Sequence, residues 1–255
     1  MCGRGKTMSH DMNITHANVE IAALAPAEDE VQLWRVDLEA IRAEESGWQE
    51  ILSSDERNRA ARFHFPDDRQ RFVASRALLR TILAGFLNID AKELRFSYSK
   101  KDKPFVGPAH ADSGITFNMS HSGGVALYAF ARRREIGVDV EQIRSDFDIE
   151  PIARRFFSVL EQQQLAALPA DSRVDAFFRC WTRKEAYIKA VGDGLSLPLS
   201  QFDVSLDPSG TDALLATRPD SSEAGQWLLR GVPGGPGYSA ALCVRGQDWK
   251  LKHWH

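Results

Sequence analysis

The sequence predicts an α+β protein made of two similar halves. Two observations carry this. Strand-like and helix-like runs follow one another as strand, helix, strands, helices, strands, and loosely repeat that order. A basic turn at Arg132–Arg134 separates two stretches of comparable length. The expected division is a flexible leader over residues 1–29, a first half over 30–131 and a second half over 132–255.

Composition narrows the class. With 255 residues and 43% hydrophobic content, the chain can bury one large core or two small ones. A net charge of −3 argues against a bulk nucleic-acid binder. Cys2, Cys180 and Cys243 form no CxxC pair, which disfavours a disulfide framework or a thiolate zinc site. No apolar run approaches the ~20 residues that span a bilayer. The polar start MCGRGKTMSHDMN lacks the apolar segment of a signal peptide. The expectation is a soluble cytoplasmic protein with no membrane partner.

The elements follow in order. Gly5-Lys6-Thr7 resembles the end of a phosphate-binding loop but lacks its earlier glycine and preceding strand. Val31–Leu38 alternates as a strand. Ser53 and Glu56 have capping-box spacing at the start of a helix that carries Arg57, Arg59 and Arg62. A long helix runs from Asp67 to about Leu87, with Arg69, Arg71, Arg76 and Arg80 as a solvated face or an anion-binding cluster. Leu94–Ser99 is a short strand and Lys100–Pro104 a basic turn. Phe117–Ser120 ends a strand, and Ser120–Gly124 is expected to form a tight glycine-ended loop. Val125–Ala131 and Glu135–Glu141 read as strands. Ile149–Leu165 reads as a helix, with Phe156-Phe157-Ser158 inside it or at a break. Val174–Val191 is a helix ending at Gly192. Phe202–Leu206, Trp227–Arg230, Tyr238–Val244 and Trp249–Trp254 read as strands, and 207–224 as loop.

Two patterns carry chemistry. In the strand Glu135–Glu141, Asp139 and Glu141 share a face, either as an acidic solvent edge or as ligands for a hard cation such as Mg²⁺. In the helix, Glu185 and Lys189 lie one turn apart beside Phe177, Trp181 and Ile188. A carboxylate in an apolar stripe is costly without a compensating cation; the other reading is an exposed ion pair. Cys180 reads as a buried small residue. His253 and His255 lack a third metal ligand at motif spacing. Ser120 and Ser122 beside His121 make no hydrolase triad, since no GxSxG elbow is present.

Taken together, these stretches resemble a known family, the Sfp-type 4′-phosphopantetheinyl transferases. Ile136–Glu141 is similar to its (I/V)G(I/V)D(I/V)E strand. Trp181–Leu195 is similar to its WxxKEAxxKxxGxGL element, and Asn118–Gly123 to its NxSHSG loop. Lys103-Pro104 matches its KP turn, with Asp102 where the family has glycine, and Phe156–Ser158 with Glu161 matches its FFSxxE segment. The similarity runs from about Arg59 to Leu206.

The resemblance implies two halves related by a pseudo-two-fold, acting as a monomer. It implies transfer of the phosphopantetheine arm of coenzyme A to a serine of an acyl or peptidyl carrier protein, with Mg²⁺ and release of 3′,5′-ADP. Asp139, Glu141 and Glu185 would hold the metal. Glu185 would also be the base, Lys189 would serve the leaving phosphate, and His121 would join them as a donor. Lys103, Ser120, His121 and Lys189 would touch coenzyme A phosphates, with Arg59 and Arg76 at its 3′-phosphate. The helix beyond Ile149 would meet the carrier. Rival readings are a Mg-dependent kinase or nucleotidyl transferase, which lacks its motif set here, and a non-catalytic module binding coenzyme A or a carrier.

Overall fold

The computed structural model describes residues 24–41, 47–101, 103–192, 197–209 and 213–254. Cys2, Gly5–Thr7, Asp102, Asp193–Leu195 and His255, with most of the expected leader, lie outside the described residues.

The chain runs β1 (Glu30–Asp37), α1 (Trp48–Ile51), α2 (Ser54–Ala60), α3 (Pro66–Leu87), β2 (Phe96–Tyr98), β3 (Pro104–Val106), β4 (Ile115–Ser122) and β5 (Val125–Arg132). It continues with β6 (Ile136–Gln142), α4 (Glu150–Phe156), α5 (Val159–Ala167), α6 (Ala170–Val191), β7 (Phe202–Val204), β8 (Leu214–Thr217), β9 (Trp227–Gly231), β10 (Tyr238–Arg245) and β11 (Lys250–Trp254). One sheet has the order β11-β1-β5-β4 and a second β6-β10-β9; β2-β3 and β7-β8 are two-stranded. β11 pairs parallel to β1, with Lys250 opposite Glu30, so the last strand closes the first sheet.

Alternation in β1 explains the layering. Val31 and Leu33 point to the second sheet and pack with Val138, Val140 and Leu242. Trp34, Val36 and Leu38 point the other way, onto Leu78, Ile82 and Leu83 of α3. On the far face of the second sheet, Phe177, Tyr187 and Ile188 of α6 pack with Leu229, Ala241 and Cys243. The order is helix, sheet, sheet, helix, and each fully buried Leu, Ile or Val contributes about 1.5–3 kcal/mol.

Each half carries the same device. Ser53 caps α2, and the Glu56 carboxylate accepts from the Ser53 amide at 3.0 Å. Glu56 also pairs with Arg76 at 3.0 Å and Arg80 at 2.5 Å on α3, and the Phe96 ring stacks against both guanidiniums. In the second half Ser158 caps α5, and Glu161 accepts from the Ser158 amide at 2.8 Å. Glu161 then pairs with Lys184 of α6 at 2.8 Å, both side chains 0% exposed. Both long helices have 22 residues. Two of the α3 arginines are therefore internal cations rather than a solvated face.

Other differences from expectation have local causes. Ile149–Leu165 is two helices, because the Ser158 cap forces extended backbone at Phe157. Ser120-His121-Ser122 is strand, and only Gly123-Gly124 turns, with Gly123 at φ 53°. The stretch 207–224 contains β8, paired with β7.

Lys184 also donates to the carbonyls of Leu199 and Phe202. Lys184→Met strands a buried carboxylate and is expected to cost about 3–5 kcal/mol in urea unfolding. Adding Glu161→Gln should restore part of that loss in the same measurement.

Candidate active site

Glycine brings β6 against α6. A Cβ on Gly137 would lie 2.1 Å from the Ala186 carbonyl oxygen and 2.4 Å from the Ala190 nitrogen, so only glycine allows this approach. Asp139 and Glu141 follow at two-residue steps and so share the face of Gly137, turned toward the helix that carries Glu185 and Lys189.

The first sheet supplies the opposite wall. Asn118, Ser120 and Ser122 project from one face of β4. The Val138 amide donates to Asn118 Oδ1 at 2.9 Å, Ser120 Oγ donates to Asp139 Oδ1 at 2.8 Å, and Ser122 Oγ donates to Glu141 Oε2 at 2.8 Å. Lys189 Nζ donates to Asp139 Oδ1 at 2.6 Å and to Ser120 Oγ at 3.0 Å.

Charge is unbalanced here. Asp139 is 2% exposed, and its Oδ2 is buried with no hydrogen-bond partner. Burial raises the Glu141 carboxyl, with Asp139 adding to the rise against the Ser122 hydrogen bond. Burial, then the charge of Asp139, raises Glu185 to about 7, with Lys189 opposing and Glu141 adding. Three carboxylates thus press on one another with Lys189 as the near cation. Among the described residues no three His, Cys, Asp or Glu side chains stand in a closed metal set. The orphaned Asp139 oxygen and the two raised carboxyls nevertheless fit a hard cation with oxygen ligands, which takes few protein carboxylates and completes its shell with water or phosphate oxygens.

His121 points to the other face of β4. It is exposed, but the protein packed around the ring, and then Lys189, Arg59, Arg76 and Arg71, hold its pKa below the ordinary histidine value. A cleft of about 800 Å³ is lined by Asp55, Glu56, Arg59, Arg62, Phe72, Arg76 and Tyr98. Arg59 stacks over Phe72 at 5.5 Å. Arg76 is buried and held by Glu56, with Met119 Sδ 3.7 Å from its Nη1. Lys103 is committed to main chain: Nζ donates to the carbonyls of Lys189 at 2.5 Å, Ile136 at 3.2 Å and Ala190 at 3.4 Å. It neutralises the carbonyl end of α6, and burial lowers its pKa.

The structure therefore brings Ser120, Asp139, Glu141, Glu185 and Lys189 together, with His121 on the other face of β4. It holds Arg76 and Lys103 in internal contacts. The sequence reading gave Asn118, Ser122, Glu56 and Arg62 no role in the site. Asn118, Ser120 and Ser122 are spaced as one strand face, and that spacing was the available signal; Glu56 looked like an ordinary cap.

Two family models match the chain. One describes the 4′-phosphopantetheinyl transferase superfamily and matches residues 135–243; the other describes the N-terminal part of a 4′-phosphopantetheinyl transferase and matches residues 39–132. The chain is 40% identical over 227 residues to the 4′-phosphopantetheinyl transferase HetI of Nostoc sp., covering 89% of this chain and 92% of that one. It is 32% identical over 206 residues to the 4′-phosphopantetheinyl transferase Sfp of Bacillus subtilis, covering 81% and 88%.

The raised Glu185 carboxyl sets a sign for stability. The unfolded chain releases this proton near pH 4.5 and the folded protein near pH 7. Between those values the folded state holds more protons, so stability falls as pH rises through that window. Glu185→Gln is expected to stabilise the metal-free protein at pH 8 by up to about 3 kcal/mol, and to do nothing at pH 4. Chemical denaturation at both pH values checks this.

Proposed function

The chain belongs to the 4′-phosphopantetheinyl transferases of the Sfp type, and from that premise we propose how its cleft residues perform the reaction. The enzyme transfers the phosphopantetheine arm of coenzyme A to a carrier-protein serine. The oxygen of that serine attacks the phosphorus that bears the arm. A new P–O bond to serine forms, and the P–O bond to the 5′-phosphate of 3′,5′-ADP breaks.

The observation that carries the assignment is the Ser120–Asp139–Lys189 junction, with the Glu141 and Glu185 carboxyls beside it. Abstraction of a serine proton requires a carboxylate within reach of the attacking oxygen, directly or through one water. Glu185 takes that proton, directly or through one water. Lys189 neutralises charge building on the departing phosphate, with Ser120 holding the ammonium in place. Asp139, Glu141 and Glu185 would hold Mg²⁺, which supplies Lewis-acid polarisation and charge neutralisation at the diphosphate. His121 is a donor for the phosphates, Ser120 serves them through the Lys189 ammonium it holds, and Arg59 is the cleft cation for the 3′-phosphate, with Arg76 kept by Glu56. Lys103 contributes through the helix end it fixes beside Lys189.

Carrier docking is assigned to the start of α5 and the helix before it. Val159 is 71% exposed and Leu160 42% exposed, next to the exposed cations Arg154 and Arg155. An aliphatic pair rimmed by arginines suits an acidic carrier helix with an apolar stripe. The site draws on both halves of one chain, so a monomer is sufficient. No helix among the described residues is long and apolar enough to cross a membrane.

Incubating the protein with coenzyme A, Mg²⁺ and apo carrier proteins should add one phosphopantetheine to the carrier, read by intact mass. No mass gain across fatty-acid, polyketide and peptide carriers would sink the assignment. Lys189→Ala is expected to lower kcat by about 10²–10³-fold, as removal of a charge-stabilising donor does. Glu185→Gln should reduce transfer at least as much while coenzyme A still binds. Normal turnover by either variant would remove that residue from the mechanism.

A further inference from the structure

A second cationic cavity lies outside this machinery. It has a volume of about 570 Å³ and is enclosed by α6, β9, the start of β10 and β11. Arg179, Thr182 and Arg183 line it from α6, at spacings that share one helix face. Arg230 of β9 and Ser239 of β10 line the other side.

Its charges are only partly answered. Arg179 gives Nε to the Leu206 carbonyl at 3.1 Å, and Arg183, 1% exposed, gives Nη1 to the Ser205 carbonyl at 2.5 Å. Arg230 stacks on Trp249 at 4.6 Å, and its Nε is buried with no hydrogen-bond partner. Among the described residues, neither Arg179 nor Arg230 makes an ion pair. Asp175 is the one carboxylate in the lining; Asp207, nearby, accepts from the Ser209 amide and hydroxyl, both at 2.8 Å. Burial, then the neighbouring Arg179, lowers the pKa of Arg183, and burial lowers that of Arg230.

We propose that this cavity binds a small phosphate dianion between Arg179 and Arg230, with the Thr182 and Ser239 hydroxyls on the adjoining wall. Forked guanidinium donors match phosphate oxygens in geometry as well as charge. The orphaned Nε–H of Arg230 is the donor such an oxygen would satisfy, and an unmet buried donor is costly. The volume falls in the range of small-molecule sites, so the phosphate can be free or carried on a small molecule.

The test is thermal unfolding of the full chain, saturated with coenzyme A so that the catalytic cleft is filled. Inorganic phosphate and glycerol phosphate are titrated against sodium chloride at equal ionic strength. Phosphate at tenfold its half-saturating concentration should raise Tm by about 3–6 °C beyond chloride. A lower half-saturation for glycerol phosphate would identify the carried phosphate as the ligand, and one no lower the free ion. Arg179→Gln and Arg230→Gln should each raise the half-saturating concentration at least tenfold. Turnover measured without phosphate should stay within about twofold of wild type, since neither residue belongs to the catalytic cleft. Arg230→Lys, which keeps the charge but loses the fork, should bind more weakly than wild type and better than Arg230→Gln. A Tm response no larger than that of chloride overturns the proposal, as does an undiminished response in both Gln variants.

Discussion

Everything at this site depends on a seam of side-chain hydrogen bonds between two sheets that share no backbone pairing. Asn118, Ser120 and Ser122 on β4 meet the Val138 amide, Asp139 and Glu141 on β6. Backbone pairing would have merged the sheets and hidden these groups in a ladder. The side-chain seam instead joins the halves while leaving polar atoms at its open end. The apolar faces of the two sheets do the bulk of the joining, through Val31, Leu127, Val138 and Leu242. The seam fixes the register, so that the acids of one half fall against the hydroxyls of the other.

That register places like charges together, and the fold accepts the consequence. Glu141 and Glu185 are both raised by burial and by neighbouring carboxylates. Lys189 answers one oxygen of Asp139 and leaves the other unpaired. A purely structural interior would exclude such an arrangement. Such an arrangement suits a site completed by a cation, and it concentrates the least comfortable electrostatics at the candidate active site.

Such strain needs a rigid surround. Glu56 with Arg76 and Arg80, and Glu161 with Lys184, supply it in the two halves by the same construction. In each, a serine-capped short helix offers its glutamate to a cation on the long helix. Glu161 also accepts from the Val204 amide at 2.8 Å, so α5, α6 and the strand after them are tied at one carboxylate. Lys184 and Glu185 are adjacent on α6 with opposite surroundings: one is sealed in the core, the other is half-buried among Asp139, Lys189 and Glu141.

Much was legible in the chain itself. Periodicity fixed the long helices and most strands, because burial on one face leaves a repeat in the sequence. The Asp139–Glu141 step and the Glu185–Lys189 turn were readable as local geometry, and family motifs joined them into one reaction. Local spacing could not show which cations turn inward. Arg76, Arg80, Lys103 and Lys184 look like solvated or ligand-binding charges along the chain, yet each finds its partners 11 to 87 residues away. Neither could it show that Ser122 is a strand residue bound to Glu141, or that Arg179 and Arg230 share a cavity. These outcomes rest on contacts between distant elements. A side chain's charge is written in the sequence, but its solvation and its partners are set only when the two halves close.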